Sequence, residues 1–343
     1  MEKSVIFGFL GGLGLFLYGM SIMSDGLQKA AGDRMRRILE ALTGKVWKGV
    51  LVGTLVTAVI QSSSAATVML VSFVNAGLMT LRQAIGVIYG ANIGTTITAQ
   101  IIAFKLTDWA LPAIGIGFLI TLIAKRRTHR YTGQIILGFG LLFLGMEVMK
   151  EAATPLEQSP VFAGWIAQLS GKPLVGVLVG VVFTALIQSS SATTGVLLAI
   201  AAKGLISLEA AIPVLFGANI GTCVTALLAS IGTSRTAKRT AVAHVVFNSV
   251  GTVVFLLFRQ PFTQAVLMVS RTDDLPRLIA NSHTLFNVAN TLIWLPLTGV
   301  MVKIVTSLVR GPEIEIAADA KYLDHRMLDT PSVALQMAVK EAT

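Results

Sequence analysis

Two four-residue clusters stand out for their chemistry: Gln61-Ser62-Ser63-Ser64 and Gln188-Ser189-Ser190-Ser191. Each sets three hydroxyls and a primary amide inside an otherwise aliphatic run. Serine hydroxyls donate to oxyanion oxygens, and a glutamine side chain both donates and accepts. Such a set suits a tetrahedral, multiply hydrogen-bonded oxyanion. Downstream of each cluster lies Gly90-Ala91-Asn92-Ile93-Gly94-Thr95 or Gly217-Ala218-Asn219-Ile220-Gly221-Thr222. Glycines flanking Asn92 and Asn219 let a helix unwind or permit close backbone approach. Freed carbonyls, with Asn and Thr oxygens, are hard ligands of the kind that hold Na⁺ in broken membrane helices.

The two sets are copies. Gln61 and Gln188 are 127 residues apart, and Gly90 and Gly217 share that offset, as do Gly77 and Gly204. Near the start of each block Gly19-Met20 pairs with Gly145-Met146, one residue closer. A shared offset across separated motifs is the signature of an internal repeat.

The elements that carry these motifs are apolar. The 343 residues are 54% hydrophobic and only 13% charged, about half the charge of an ordinary soluble domain. Mean hydropathy is +0.77. Disorder is excluded, and a soluble enzyme is disfavoured. One cysteine, Cys223, excludes a disulfide framework or a cysteine metal site. Apolar stretches of membrane-spanning length fall at about Ser4–Met23, Gln83–Phe104, Trp109–Ala124, Gly133–Met149, Ala211–Ile231, Ala241–Phe258 and Ser282–Leu308. Two more, Val46–Gly77 and Pro173–Gly204, are interrupted at their centres by the Gln-Ser-Ser-Ser clusters. The first stretch lacks a small-residue cleavage site and recurs in the repeat, so it belongs to the mature fold rather than to a signal peptide.

Parity decides the repeat symmetry. If the interrupted stretches cross the membrane, the repeats are parallel; if they are re-entrant hairpins, the repeats are inverted. With hairpins and an outside N-terminus, most loop cations fall inside: Lys29, Arg34, Arg36, Arg37, Lys45, Lys48 and Arg82, then Lys125–Arg130, then Arg235, Lys238 and Arg239. The positive-inside rule therefore favours hairpins. The expected fold is an all-α polytopic membrane protein with inverted-topology repeats, about seven spanning helices and two re-entrant hairpins. Residues 1–128 form repeat 1 and 129–258 repeat 2; 259–310 add a transmembrane helix, and 311–343 form a charged linker. The net charge of +10 is then a topology signal, not a nucleic-acid signal.

Paired hairpin tips would meet near the midplane, each followed by a half-helix from Ala65 or Ala192 onward. Helix N-termini present unpaired N–H groups and positive partial charge, so two of them make an anion site without Lys or Arg. No carboxylate falls in the middle of a span; Asp25, Glu147 and Glu151 lie near helix ends. Scarce titratable groups and abundant neutral oxygens favour Na⁺ over H⁺ as the coupling ion. His244 with Asn248, and His283 with Asn287, share the pattern His-x-x-Phe-Asn; they are expected to be interhelical supports. Cys223 stands where repeat 1 has Thr96 and is expected to be a small apolar filler. No Walker A motif, catalytic triad or metal-spaced His/Cys cluster is present in the sequence.

Paired Gln-Ser-Ser-Ser clusters, each followed by Gly-Ala-Asn-Ile-Gly-Thr, resemble the type II sodium–phosphate cotransporter family in its bacterial form, over about Ser4–Leu308. The tail from Tyr322 resembles the start of the PhoU-like domain that bacterial members often append. The resemblance implies a non-enzymatic symporter of inorganic phosphate and Na⁺ in the bacterial inner membrane, with a cytoplasmic C-terminus, no cofactor besides Na⁺ and no nucleic-acid partner. It implies that Gln61, Ser62, Ser63, Ser64, Gln188, Ser189, Ser190 and Ser191 bind phosphate. The sodium shell would draw on Gln61, Ser64, Asn92, Thr95, Thr96, Gln188, Ser191, Asn219 and Thr222, supported by Thr67, Thr194, His244, Asn248, His283 and Asn287. The residues alone leave open a Na⁺-coupled transporter of sulfate or a carboxylate, a passive anion channel, a phosphate-signalling membrane protein, and a homo-oligomeric state.

Overall fold

The computed structural model describes residues 3–31, 45–104, 106–311 and 336–337. The chain divides into the units Met1–Val309 and Arg310–Thr343, and the helices that carry the site belong to the first. Arg34, Arg36 and Arg37, and nearly all of the linker expected from residue 311, lie outside the described residues.

All the regular structure described is helical. The helices are α1 (Lys3–Ala31), α2 (Val46–Ile60), α3 (Ser63–Asn75), α4 (Leu81–Ile102), α5 (Ala110–Ile123), α6 (Arg127–Ala152), α7 (Pro160–Gly171), α8 (Pro173–Ile187), α9 (Ser190–Ala202), α10 (Leu208–Ala229), α11 (Arg235–Leu257), α12 (Arg259–Ser270), α13 (Leu275–Trp294) and α14 (Thr298–Leu308). The repeat is visible in their lengths. Helices α2 and α8 have 15 residues each, α3 and α9 have 13, and α4 and α10 have 22.

Five helices are long and apolar enough to cross a membrane, and a sixth span results if α13 and α14 are joined. The expected count was seven. Two segments account for the difference. The stretch expected from Trp109 to Ala124 is an apolar helix over Thr107–Ile123, the 14-residue α5 with a 3-residue 3₁₀ turn before it, about 25 Å at about 1.5 Å per residue and so just short of a hydrocarbon core of about 30 Å. The stretch expected as one helix from Ser282 to Leu308 is broken, and α13 and α14 meet at 86°. Pro296 explains the break: it has no N–H to donate, and its ring opposes the carbonyl four residues back. Helices α7 and α12 were not expected at all.

Helix pairing follows the small residues. Helix α1 packs along α6, α2 along α4, and α8 along α10. A Cβ at Gly90 would run into the Val50 carbonyl of α2, and one at Gly217 into the Val177 carbonyl of α8. These glycines set the backbone-to-backbone approach, as small residues do in membrane helices. So the Gly-Ala-Asn-Ile-Gly-Thr motifs do not unwind their helices. Both α4 and α10 run unbroken through them, and the glycines serve packing.

Two apolar cores flank the motifs. One gathers Phe16, Leu142, Phe143, Leu197, Phe216 and Phe286, and the other Val56, Leu70, Ile85, Tyr89 and Phe247. Outward faces stay apolar: Leu51 and Leu55 on α2, Leu178, Val182 and Leu186 on α8, and Leu111, Ile116, Leu119 and Leu122 on α5 are exposed. In water this would be an interaction surface; in a multi-pass membrane protein it faces lipid. Arg239, expected in a loop, is instead buried in α11 and donates from Nε to the Val309 carbonyl at 3.2 Å.

Candidate functional site

Helix α2 ends at Gln61 and α8 at Gln188, both in the left-handed conformation, φ 60° and 59°. Non-glycine residues avoid this region at a cost of about 1 kcal/mol or more each. Its occurrence at matched positions marks a conformation imposed by the tip. The next residue, Ser62 or Ser189, is extended, φ −146° and −144°, and starts the following helix as its N-cap. The half-helices therefore begin at Ser63 and Ser190, two residues earlier than expected from Ala65 and Ala192. Capping by serine is the reason: Ser62 Oγ accepts from Ala65 N–H at 3.1 Å, and Ser189 Oγ from Ala192 N–H at 3.2 Å. Ala66 and Thr193 N–H then reach the Ser62 and Ser189 carbonyls, at 3.2 Å each. The amides of Ser63, Ser64, Ser190 and Ser191 precede these bonds, at the positive end of each helix dipole.

The two tips meet. Ser64 Oγ donates to the Gln188 carbonyl at 3.3 Å. Gln61–Ser64 and Gln188–Ser191 together line one cavity of about 410 Å³. Ser63, Ser190, Ser191 and Gln61 are buried, whereas Gln188 is exposed. The glutamines differ in their partners too. Gln61 Oε1 accepts from Thr98 Oγ1 at 3.1 Å, and its Nε2 donates to the Ala58 carbonyl at 3.1 Å. The repeat counterpart of Thr98, Thr225, donates to its own helix at Thr222 O. The tips also differ at a threonine pair. Thr184 and Thr193 hydroxyls lie 2.6 Å apart, but Thr193 is matched by Ala66, and Thr57 Oγ1 has no hydrogen-bond partner among the described residues.

Thr67 and Thr194 bond back to the Ser63 and Ser190 carbonyls at 2.9 and 2.8 Å, so they brace the first turns. Asn92, Thr95, Thr96, Asn219 and Thr222 do not line the cavity. They are buried on α4 and α10. Asn92 and Asn219 donate to Ile88 O and Leu215 O at 2.9 Å, and Thr95 and Thr222 to Ala91 O and Ala218 O at 3.0 Å. The supports divide as well. His283 Nε2 pairs with Asn219 Oδ1 at 3.3 Å, and Asn248 Nδ2 reaches Cys223 Sγ at 3.4 Å. Cys223 is thus a hydrogen-bond partner, not only a filler. Asn287 Nδ2 donates to His283 O at 2.9 Å. Neither ring nitrogen of the fully buried His244 has a hydrogen-bond partner among the described residues.

Helix α1 supplies a wall of the cavity that the motifs did not announce. Ser21, Ser24, Asp25 and Gln28 line it beside the tips. Ser24 Oγ donates to the Ile60 carbonyl at 2.8 Å and so closes the end of α2; Gln28 Nε2 donates to Ser24 Oγ at 3.1 Å. Their spacing was the available signal: positions 21, 24, 25 and 28 form one polar stripe on an apolar helix.

A family model described as Na⁺/Pi-cotransporter matches residues 15–151 and 158–270, each stretch holding one Gln-Ser-Ser-Ser and one Gly-Ala-Asn-Ile-Gly-Thr motif. The chain belongs to the Na⁺/Pi-cotransporter family. Among its curated relatives, the uncharacterized protein YqeW of Bacillus subtilis is 34% identical over 294 residues, 86% of this chain and 95% of that protein. The "Putative inorganic phosphate export protein YjbB" of Escherichia coli K12 is 31% identical over 336 residues, 97% of this chain and 61% of its own length. The chain thus spans about three fifths of YjbB. The sodium-dependent phosphate transport protein 2A of Rattus norvegicus is 32% identical over 150 residues, 38% of this chain and 24% of that protein. No solved structure matches the chain.

Proposed function

We propose that the protein is a Na⁺-coupled symporter of inorganic phosphate in the bacterial plasma membrane, working by alternating access. The observation that carries this is the convergence of both Gln-Ser-Ser-Ser tips on one cavity. Phosphate sits between the tips, held by serine hydroxyls and by the amides that open α3 and α9. The tips carry no formal charge, so Na⁺ beside the anion offsets its charge. Gln61, Ser64, Gln188 and Ser191 supply oxygens for it, with Asn92, Thr95, Thr96, Asn219 and Thr222 on the helices behind.

Helices of 15 and 13 residues reach about 22 and 20 Å, too short to cross alone. We read α2–α3 and α8–α9 as re-entrant hairpins of inverted repeats, one entering from each side, with α5 and the 3₁₀ turn before it making the crossing between α4 and α6 and the N-terminus outside. Non-helical backbone at membrane depth is tolerated where it lines such a cavity. A symporter moves its substrates down their summed gradients, so import and export are one mechanism under different gradients, which accommodates the export named for YjbB.

The test is transport in proteoliposomes with Na⁺ and phosphate gradients varied independently. Phosphate movement is expected to follow an imposed Na⁺ gradient in either direction. Ser63→Ala and Ser190→Ala are each expected to lower the rate at least tenfold, the loss of one charge-assisted hydrogen bond to a desolvated anion. Movement indifferent to Na⁺ would return the protein to the passive-channel reading, and wild-type rates in both variants would remove the tips from the site.

A further inference from the structure

Among the described residues that line the cavity, Asp25 is the one formal charge, and it has the sign of the expected substrate. A carboxylate in the wall of an oxyanion site repels any fully deprotonated anion. It attracts one that still bears an acid hydroxyl, because a carboxylate only accepts hydrogen bonds and a P–OH donates one. We propose, on the basis of the transporter reading above, that Asp25 is the residue that selects a protonated oxyanion, and so phosphate over sulfate.

The rest of the lining is amphoteric. Serine hydroxyls and the exposed Gln188 amide can turn to suit either anion, and phosphate and sulfate have nearly the same tetrahedral shape. Near neutrality phosphate keeps at least one proton and sulfate keeps none. Discrimination therefore needs an acceptor that cannot switch to donor. Specificity of this kind is built by an unfavourable contact with the wrong ligand as much as by a favourable one with the right one.

Holding Na⁺ is the other task open to a carboxylate here, and the geometry speaks against it. Lys29 Nζ lies 3.9 Å from Asp25 Oδ2, one turn along α1. A second cation at Asp25 would be repelled by that ammonium; a hydroxyl donor would not. The Asp25 side chain is 59% exposed, so the carboxylate stands at the wall without the cost of deep burial. Ser24, next to it, is fixed by its bond to Ile60 O, which anchors this turn of α1 to the first tip.

The experiment compares wild type, Asp25→Asn and Asp25→Glu in proteoliposomes, with labelled phosphate and excess sulfate or arsenate as competitors. Arsenate carries an acid hydroxyl like phosphate. In wild type and Asp25→Glu, arsenate is expected to compete and sulfate not. In Asp25→Asn, sulfate is expected to compete, and the half-saturating phosphate concentration to rise about tenfold. Should Asp25→Asn lose transport, anion-dependent thermal stabilisation in detergent reads the same ranking: sulfate stabilises the variant and not the wild type. Sulfate excluded equally from Asp25→Asn, or competing in wild type, overturns the assignment. So does a shifted Na⁺ dependence with the anion ranking kept. A wild type that neither moves phosphate nor is stabilised by it would instead overturn the transporter reading.

Discussion

Within each tip, one serine caps the helix that follows it. Ser189 Oγ already accepts the Ala192 N–H, which leaves its proton available to donate. Its two roles separate by substitution. Ser189→Ala removes cap and hydroxyl and is expected to cost about 1 kcal/mol, whereas Ser189→Gly costs only a few tenths because glycine is itself a good N-cap. If the hydroxyl faces the anion, both variants lose phosphate transport alike while their melting temperatures in detergent differ. Transport that instead tracks melting temperature would leave Ser189 a cap alone. The motif was legible at this scale because an amide and three hydroxyls are conspicuous in an aliphatic run, and because they occur twice. Ser24, Asp25 and Gln28 were less so. Nothing repeats them: the residue one repeat on from Asp25, at the Gly19–Gly145 offset, is Glu151, which does not line the cavity.

For the helices, the interruption of two apolar runs was readable from polar residues at their centres, and its geometry was not. The left-handed glutamines have no sequence signature, since glutamine is not a residue that seeks φ near 60°. The role of the glycine motifs depended on a partner backbone that lies 40 residues away for Gly90 and Val50, and for Gly217 and Val177. The same glycines permit unwinding or close approach, and only the neighbour decides. Close approach predicts a matched pair of effects. Gly90→Ala and Gly217→Ala each push a methyl against a carbonyl of the facing helix, and overpacking of this kind costs about 1–3 kcal/mol. Thermal unfolding in detergent is expected to show similar losses for both. Loss at one site alone would mean the repeats pack differently. Pro296, by contrast, was a plain sequence signal for the break between α13 and α14; hydropathy alone ran across it.

On the scale of the whole molecule, charge and length jointly constrain the topology. Length alone identifies five or six spans, because α2, α3, α8 and α9 are each too short to count. Loop charge identifies sides, but some of its evidence weakens in the fold: Arg239 is buried in α11 rather than free in a loop. The hairpin reading makes a prediction that neither length nor hydropathy can supply. Both ends of α2–α3 must emerge on one side and both ends of α8–α9 on the other. Lys48, Lys172 and Ala202 are exposed positions at three of those ends, Arg82 is exposed in the first turn of α4 just beyond the fourth, and Cys223 is the one cysteine, buried. In a Cys223→Ala background, Lys48→Cys and Arg82→Cys are expected to react with a membrane-impermeant maleimide only from the cytoplasmic face. Lys172→Cys and Ala202→Cys are expected to react only from outside. If Lys48 and Arg82 labelled from opposite faces, α2 and α3 would together make one crossing. The repeats would then be parallel, and α3 and α9 would run in the same direction across the membrane. Their N-termini could no longer converge from opposite sides on one anion, so the labelling pattern tests the logic of the site as well as the topology.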